Sequence, residues 1–264
     1  MRKLLDTWLD LFERHEVLTR ASAIAFQALT AAVVLVLLGL AVLGEIGRQD
    51  LWFAHIAPQI KARVLPGVYD GVDATVRRIF SADSAPLLAF AAVFTIWEMS
   101  GAVRCCMGAF TRIYEVREHR STWLRTPLSY VLATALTAAF VAAALLVMAL
   151  GGLVHGGWYV PFAVVRWALA IGLLALAFGL IVRFAPARPR AKRWASIGTG
   201  LVVFAWTVQS LIFGWYVSSV ANFKTAVGSL AVLLVVITYF YVASIVLLVG
   251  IELDEQLRKR SARP

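Results

Sequence analysis

Two charged side chains interrupt runs of otherwise apolar residues, and they are the groups in this sequence best placed to do chemistry. Glu98 lies inside the second apolar run and Arg166 inside the fourth. A charge held in hydrocarbon costs a few kcal/mol unless it is paired, hydrated or, for an acid, protonated, so such residues often mark substrate or ion pathways. Both are candidate transport residues.

Each of the two also has a structural explanation. Glu98 lies about 9 Å from the inner end of its run, by the rise of a helix, and can reach interfacial water. Arg166 can extend its guanidinium outward to the membrane surface. The two could also pair with each other, although their expected depths differ by about 9 Å. The sequence leaves these alternatives open.

A third set of polar residues lies on one side of the last apolar run. Thr238, Tyr241, Ser244, Glu252 and Glu255 fall within one third of a helix circumference at about 100° per residue. Such a stripe faces the interior of a helix bundle or a cavity, where it either contacts a substrate or joins helices by hydrogen bonds. The first four of these residues complete the candidate transport set.

Residues that would support catalysis or metal binding do not form a recognisable pattern. The four histidines are His15, His55, His119 and His155, and none has a metal-ligand spacing with Asp or Glu. The two cysteines, Cys105 and Cys106, are adjacent and cannot join distant elements. No nucleotide-binding G-x-x-x-x-G-K-[ST] motif is present. We therefore predict no enzymatic activity, no metal and no cofactor.

The composition is that of a membrane protein. Of the 264 residues, 61% are apolar and only 15% are charged, whereas soluble domains are about 45–50% apolar and about 25% charged. A net charge of +10 would suggest nucleic acid as the partner of a soluble chain. Here the basic residues lie between the apolar runs, which indicates loops that face anionic lipid headgroups, and we predict no nucleic-acid partner.

The apolar runs predict an all-α, polytopic protein with six transmembrane helices. The 27 uncharged residues 225–251 would reach about 40 Å as a helix, enough to cross a hydrocarbon core of about 30 Å. The 40 uncharged residues 126–165 are too long for one span, and glycine pairs with Pro161 divide them. The predicted spans are approximately residues 21–43, 85–103, 127–150, 161–184, 196–220 and 228–251.

The remaining segments are predicted to lie at the membrane surfaces. Residues 1–20 are predicted to form an amphipathic helix in the membrane interface. Residues 252–264 are predicted to form a charged tail, which begins after a helix break at Gly250. Segment 45–83 holds two helical fragments separated at Pro66 and should form an outer helical layer. With both ends inside, the inner segments hold 18 Lys and Arg and the outer ones hold 6, so both termini are predicted to be cytoplasmic.

Several ordered motifs resemble the YihY/BrkB family of bacterial inner-membrane proteins, once labelled ribonuclease BN. The matching positions are Trp97, Ser100, Arg104, Tyr114, Glu118, Arg120, Trp123, Arg166, Trp167, Gly228, Ser229, Leu230, Gly250, Glu252 and Leu253. Val227 stands where the family usually has Tyr, and Asp254 where it has Asn. The resemblance implies six spans and an inner-membrane location, and transport of a lipid or lipid precursor is the activity usually suggested for the family.

Two classes of function follow from these features. The first is a transporter or lipid translocase with a polar cavity inside the bundle, driven by a gradient or by a partner protein. The alternative is a non-transporting scaffold for a partner complex. The scaffold interpretation depends on two seams of small residues, which allow another helix to approach closely. The seams are Ala21, Ala25, Ala28 and Ala32 in the first predicted span and Gly200, Thr207 and Gly214 in the fifth. An oligomer or a protein partner is compatible with this interpretation. Ribonuclease activity is not expected, because topology explains the basic loops.

Overall fold

A computed structural model describes residues 12–62, 65–82, 84–115, 121–151, 159–186, 197–216 and 226–261. Within these ranges the regular structure is helical and no strand occurs. The elements are α1 (Val17–Glu45), a π-helical turn (Trp52–Ile56), α2 (Ala57–Lys61), α3 (Pro66–Ser81), α4 (Ser84–Ile113), α5 (Thr122–Gly151), α6 (Tyr159–Phe184), α7 (Ile197–Trp215) and α8 (Ala226–Ser261).

Five of these helices are long and apolar enough to cross a membrane. Their candidate spans are Val17–Glu45, Ala85–Ile113, Trp123–Val147, Val164–Phe184 and Leu233–Lys259. The apolar part of α7, Gly200–Trp215, is shorter. The all-α membrane class is confirmed for the described residues, and the total of six spans stays a prediction.

Two helices extend well beyond their predicted spans. Helix α4 continues to Ile113, and its extension carries Met107, Phe110 and Ile113, whose side chains are buried at helical spacing. Helix α8 passes through Gly250 without a break and runs to Ser261. The charged residues after Gly250 therefore belong to the same helix. Glu252 and Glu255, which are three positions apart, are both buried, so one face of this C-terminal part of α8 packs against other residues. Most of the predicted N-terminal interface helix lies outside the described residues.

The chain divides into two compact units. The first comprises residues 1–95 and 195–264, and the second comprises residues 96–194. In the first unit, α8 packs against both α1 and α7. Three hydrogen bonds run from α7 to α8, from Gly198 N to Asp254, from Trp206 to the carbonyl of Ala243, and from Gln209 to that of Tyr239. Because the residue numbers on α7 rise along this series while those of their partners on α8 fall, the two helices are antiparallel.

The segment after α1 folds back on that helix. Leu40 of α1 forms a core with Trp52, Ala57 and Val76, and Phe80 of α3 packs on this cluster. A methyl group added at Gly44 would lie 3.4 Å from Phe80, so the end of α1 closely contacts α3. Helices occupy both predicted stretches, although α3 already begins at Pro66, where the sequence predicts a break. The outer helical layer stays a prediction.

The second unit contains the later part of α4 together with α5 and α6. Helices α5 and α6 pack along each other, as expected for a helical hairpin. Near the start of α5, Arg125 donates a hydrogen bond to the carbonyl of Arg104 at 3.2 Å, which joins α5 to α4.

Candidate functional site

A buried pair of ionisable side chains joins the beginning of the described chain to its end. Nδ1 of His15 lies 2.8 Å from Oε2 of Glu252, and the two side chains are 2% and 1% exposed. The second carboxylate oxygen of Glu252 accepts a hydrogen bond from Gln256 at 2.9 Å. Both oxygens are therefore bonded, as a buried carboxylate requires. We call His15, Glu252 and Gln256 the terminal cluster.

A tight turn precedes α1 and places His15 in this position. Glu16 has φ 53 and ψ 39, the left-handed conformation that non-glycine residues seldom adopt. Its side chain accepts a hydrogen bond from Arg20 at 2.9 Å, one helical turn onward. A strained backbone of this kind persists where surrounding contacts hold it. The buried bond between His15 and Glu252 is such a contact.

Next to the terminal cluster, α7 and α8 cross at two glycines. A methyl group built on Gly198 would overlap the carbonyl oxygen of Gly250 and lie 2.6 Å from Cγ of Asp254. A methyl group on Gly250 would in turn overlap Val202. Asp254 Oδ1 accepts a hydrogen bond from Gly198 N at 2.8 Å. Because the first N–H groups of a helix have no partner within it, Asp254 caps α7 from outside.

Glu255 provides a second buried carboxylate one turn beyond Glu252. It is 1% exposed, and Arg258 donates to both of its oxygens. The C-terminal part of α8 therefore carries two buried carboxylates, each of which has hydrogen-bond partners. Among the described residues, no three His, Cys, Asp or Glu side chains come together in a way that could hold a metal ion.

The two predicted charges inside the apolar runs are both half-buried in the second unit. Glu98 lies on α4 and Arg166 on α6, each within a candidate span. Nε of Arg166 is buried and has no hydrogen-bond partner in the described part of the chain. No described contact joins Arg166 to Glu98, and their pairing remains one of the alternatives that the sequence leaves open.

The predicted polar stripe of α8 divides into two parts. Ser244 and Glu252 are buried, Tyr241 is half-buried and Thr238 is exposed. The hydroxyl of Thr238 donates to the carbonyl of Leu234 within its own helix at 2.8 Å, and that of Ser244 donates to Phe240 in the same way. The buried part of the stripe therefore lies towards the C-terminal end of α8, and of its residues Glu252 belongs to the terminal cluster.

The family-motif residues lie in several places. Trp97 is 55% exposed, Arg104 is half-buried, and Tyr114 is buried beside Phe110. Gly250 lies at the crossing of α7 and α8. Gly228 and Ser229 belong to the first turns of α8, and Glu118 and Arg120 lie outside the described residues.

Sequence reasoning did not find His15 as the partner of Glu252. The two are separated by 237 positions, and nothing local distinguishes His15 from the other histidines. It also placed the small-residue seam of α7 on Gly200, Thr207 and Gly214, which are all exposed. The face that contacts α8 instead carries Gly198, Val202, Trp206 and Gln209. The polar side chains Trp206 and Gln209 were the signal, because in an apolar environment they need partners on a neighbouring helix.

Comparison with known proteins supports the resemblance seen in the motifs. A family model described as Virulence factor BrkB matches residues 9–264. One relative, named "Putative ribonuclease-like protein YfkH" and found in Bacillus subtilis (strain 168), is 25% identical over 187 residues, which cover 67% of this chain and 68% of the relative. No solved structure was found to match. The family match spans nearly the whole chain, and the protein therefore belongs to the virulence factor BrkB family of multi-pass bacterial membrane proteins.

Proposed function

We propose that this protein is a transporter or lipid translocase of the bacterial inner membrane. The observation that carries the proposal is Arg166, whose Nε is buried without a hydrogen-bond partner inside the candidate span Val164–Phe184. Arginine stays charged in proteins, and its five N–H groups require acceptors. An anionic group that enters the second unit would supply them.

Glu98 supports the same proposal from another helix of that unit. It is half-buried within the candidate span Ala85–Ile113. A carboxylate at membrane depth can bind and release a proton as substrate moves, which would couple transport to a proton gradient. No nucleotide-binding motif is present in the sequence, so we expect the driving force to be a gradient or a partner protein.

The proposed orientation places both termini in the cytoplasm. The start of α1 and the end of α8 meet at the terminal cluster, so both lie at the same end of the first unit. Lys and Arg are concentrated in the segments assigned to that side. The basic loops would then contact anionic headgroups of the cytoplasmic leaflet.

A scaffold remains the second candidate because α7 has an exposed small-residue face. Gly200, Thr207 and Gly214 are all exposed, and a methyl group added at Gly200 or Gly214 would meet nothing within 4 Å. Small residues allow the close approach of another helix. A partner protein, or a second copy of this chain, would fit that face.

Mass spectrometry of small molecules and lipids that co-purify with the protein separates the two candidates. Wild-type protein, Arg166→Ala and Glu98→Gln would be purified from the same membranes. Arg78→Ala, which removes an exposed arginine of α3, is the matched control. We expect wild-type protein and the control to retain one lipid or metabolite far above its membrane abundance, and Arg166→Ala to lose it.

The opposite pattern would favour the scaffold. If all four proteins retain only bulk lipid, while a second protein co-purifies in near-equal amount, the transport proposal is wrong. If wild-type protein and Arg166→Ala retain a selected molecule equally, Arg166 does not contribute to its binding site.

A further inference from the structure

Two arginines lie together where α5 begins, in the second unit. Nη1 of Arg104 donates to Ser100 Oγ at 2.8 Å and approaches Ser129 Oγ at 3.4 Å. Its guanidinium also lies 5.9 Å from the ring centre of Tyr130. Nη2 of Arg125 donates to the main-chain carbonyl of Arg104 at 3.2 Å. The guanidinium of Arg125 on α5 therefore contacts the main chain of Arg104 on α4, so the two arginines lie where these helices meet.

This pair has no carboxylate partner among the described residues. Nε of Arg125 is buried without an acceptor, and the described contacts of Arg104 are to hydroxyl oxygens and an aromatic ring. The two hydroxyls donate to main-chain carbonyls, Ser100 to Trp97 and Ser129 to Thr126. They therefore act as neutral acceptors for Arg104, and the acceptor of Arg125 is a neutral main-chain carbonyl, so the described residues supply neither arginine with a negative charge. A cation held among neutral groups has a higher free energy than one paired with an anion, so an anion bound here would stabilise both arginines.

The start of α5 indicates that this pair lies near a membrane surface, because Arg125 is the third residue of the candidate span Trp123–Val147. The candidate span of α5 begins at Trp123, which is 89% exposed, and the neighbouring Leu124 is 65% exposed. Tryptophan at the end of an apolar helix is typical of the headgroup level of a bilayer. The N-terminus of α5, with its partial positive charge, lies at the same level.

We propose that Arg104 and Arg125 bind a phosphate-bearing anion, with the headgroup of an anionic phospholipid as the source that this location favours. Guanidinium groups bind phosphate oxygens through paired N–H groups, and arginine is the side chain best suited to that geometry. Nε and Nη2 of Arg104 and Nε of Arg125 are the groups left to do so. The site does not depend on transport, because a scaffold would bind the same anion.

Native mass spectrometry of the full-length protein in detergent tests the site. Phosphatidylglycerol and phosphatidylcholine would be titrated into wild-type protein, Arg104→Gln and Arg125→Gln. Arg183→Gln is the matched control, because Arg183 is an exposed arginine near the end of α6 in the same unit. Arg125→Lys keeps the charge without the forked donors. Gel filtration and circular dichroism would confirm that each variant folds.

We expect wild-type protein to prefer phosphatidylglycerol and each glutamine variant to bind it about tenfold more weakly, as expected for the loss of a charge-assisted hydrogen bond. Arg125→Lys should show a smaller loss and Arg183→Gln none. In a second arm, inorganic phosphate is compared with chloride at equal ionic strength. A rise in Tm with phosphate that Arg125→Gln abolishes, without a lipid preference, would support a soluble phosphate compound as the source.

Absence of both effects would overturn the proposal. So would an equal loss of lipid binding in Arg183→Gln, because general basic charge would then explain it.

Discussion

Glu252 and His15 are each almost fully buried, so either residue left alone would hold a charge or an unsatisfied polar group in an apolar environment. Removing one member of a buried ionisable pair typically costs about 3–5 kcal/mol. We therefore expect Glu252→Ala and His15→Ala each to lower the free energy of unfolding in detergent by that order. The double variant should lose clearly less than the sum, because the second substitution removes the group that the first left unpaired.

Glu16→Ala is the matched control for this cycle. Glu16 adjoins His15, but its bond to Arg20 joins two solvent-accessible side chains, 52% and 30% exposed. A surface pair of this kind contributes about 0–1 kcal/mol. Additive losses in the double variant, or equal losses in Glu16→Ala and Glu252→Ala, would show that the terminal cluster is not coupled.

Gly198 and Gly200 are close neighbours on α7 with opposite surroundings. A side chain at Gly198 would overlap the backbone of α8 at Gly250, whereas a methyl group at Gly200 would meet nothing within 4 Å. Overpacking of a close contact costs about 1–3 kcal/mol. We expect Gly198→Ala to lower the melting temperature of the detergent-solubilised protein and Gly200→Ala to leave it unchanged or raise it. A larger loss in Gly200→Ala would mean that the other face of α7 contacts α8.

At the scale of helices, Asp254 of α8 caps the first turn of α7 through its Oδ1, which accepts a hydrogen bond from Gly198 N. Asn carries the same Oδ1 acceptor without the negative charge. Loss of a helix cap costs about 1 kcal/mol. We expect Asp254→Ala to lose about that much stability and Asp254→Asn to lose less, in the same unfolding measurement. Equal losses would show that the negative charge, rather than the acceptor, stabilises α7.

The helices themselves could be predicted well, but their contacts could not. Runs of apolar residues define where α1, α4, α5, α6 and α8 lie, because hydropathy and length are properties of each segment. Helices α4 and α8 continue past the ends of the predicted spans, since their extensions are stabilised by burial of Phe110 and Glu252. Burial of this kind depends on other helices, which a single segment does not reveal.

The candidate site was predicted only in part for a similar reason. Glu252 stood out because it is an acid at the end of an apolar run, whereas its partner His15 lies 237 positions away. On α7, two faces both carry small residues, and only the polar contacts of Trp206 and Gln209 distinguish them. An unsatisfied polar group in hydrocarbon costs several kcal/mol, so the face with polar side chains packs inward.

At the scale of the whole molecule, the first unit is assembled from the two ends of the sequence. The start of α1 and the end of α8 come together at His15 and Glu252, while the segment that follows α1 packs around Leu40 near its other end. This closure brings distant parts of the chain into one unit around α8.

Cross-linking across the terminal cluster tests this closure most directly. His15→Cys and Glu252→Cys would be combined with Cys105→Ala and Cys106→Ala, and a protease site inserted into segment 152–158. Replacing both members of the pair together leaves no lone buried charge. Membranes would be treated with a short thiol-specific cross-linker and then with the protease. Ile46→Cys with Glu252→Cys is the control, because Ile46 follows α1 and lies about 40 Å along the helix from His15.

We predict that the two fragments of the His15→Cys and Glu252→Cys protein stay joined after proteolysis, while those of the control separate. Fragments that separate in both proteins, although the protein is folded and its cysteines react with a monofunctional reagent, would contradict the closure of the first and last helices.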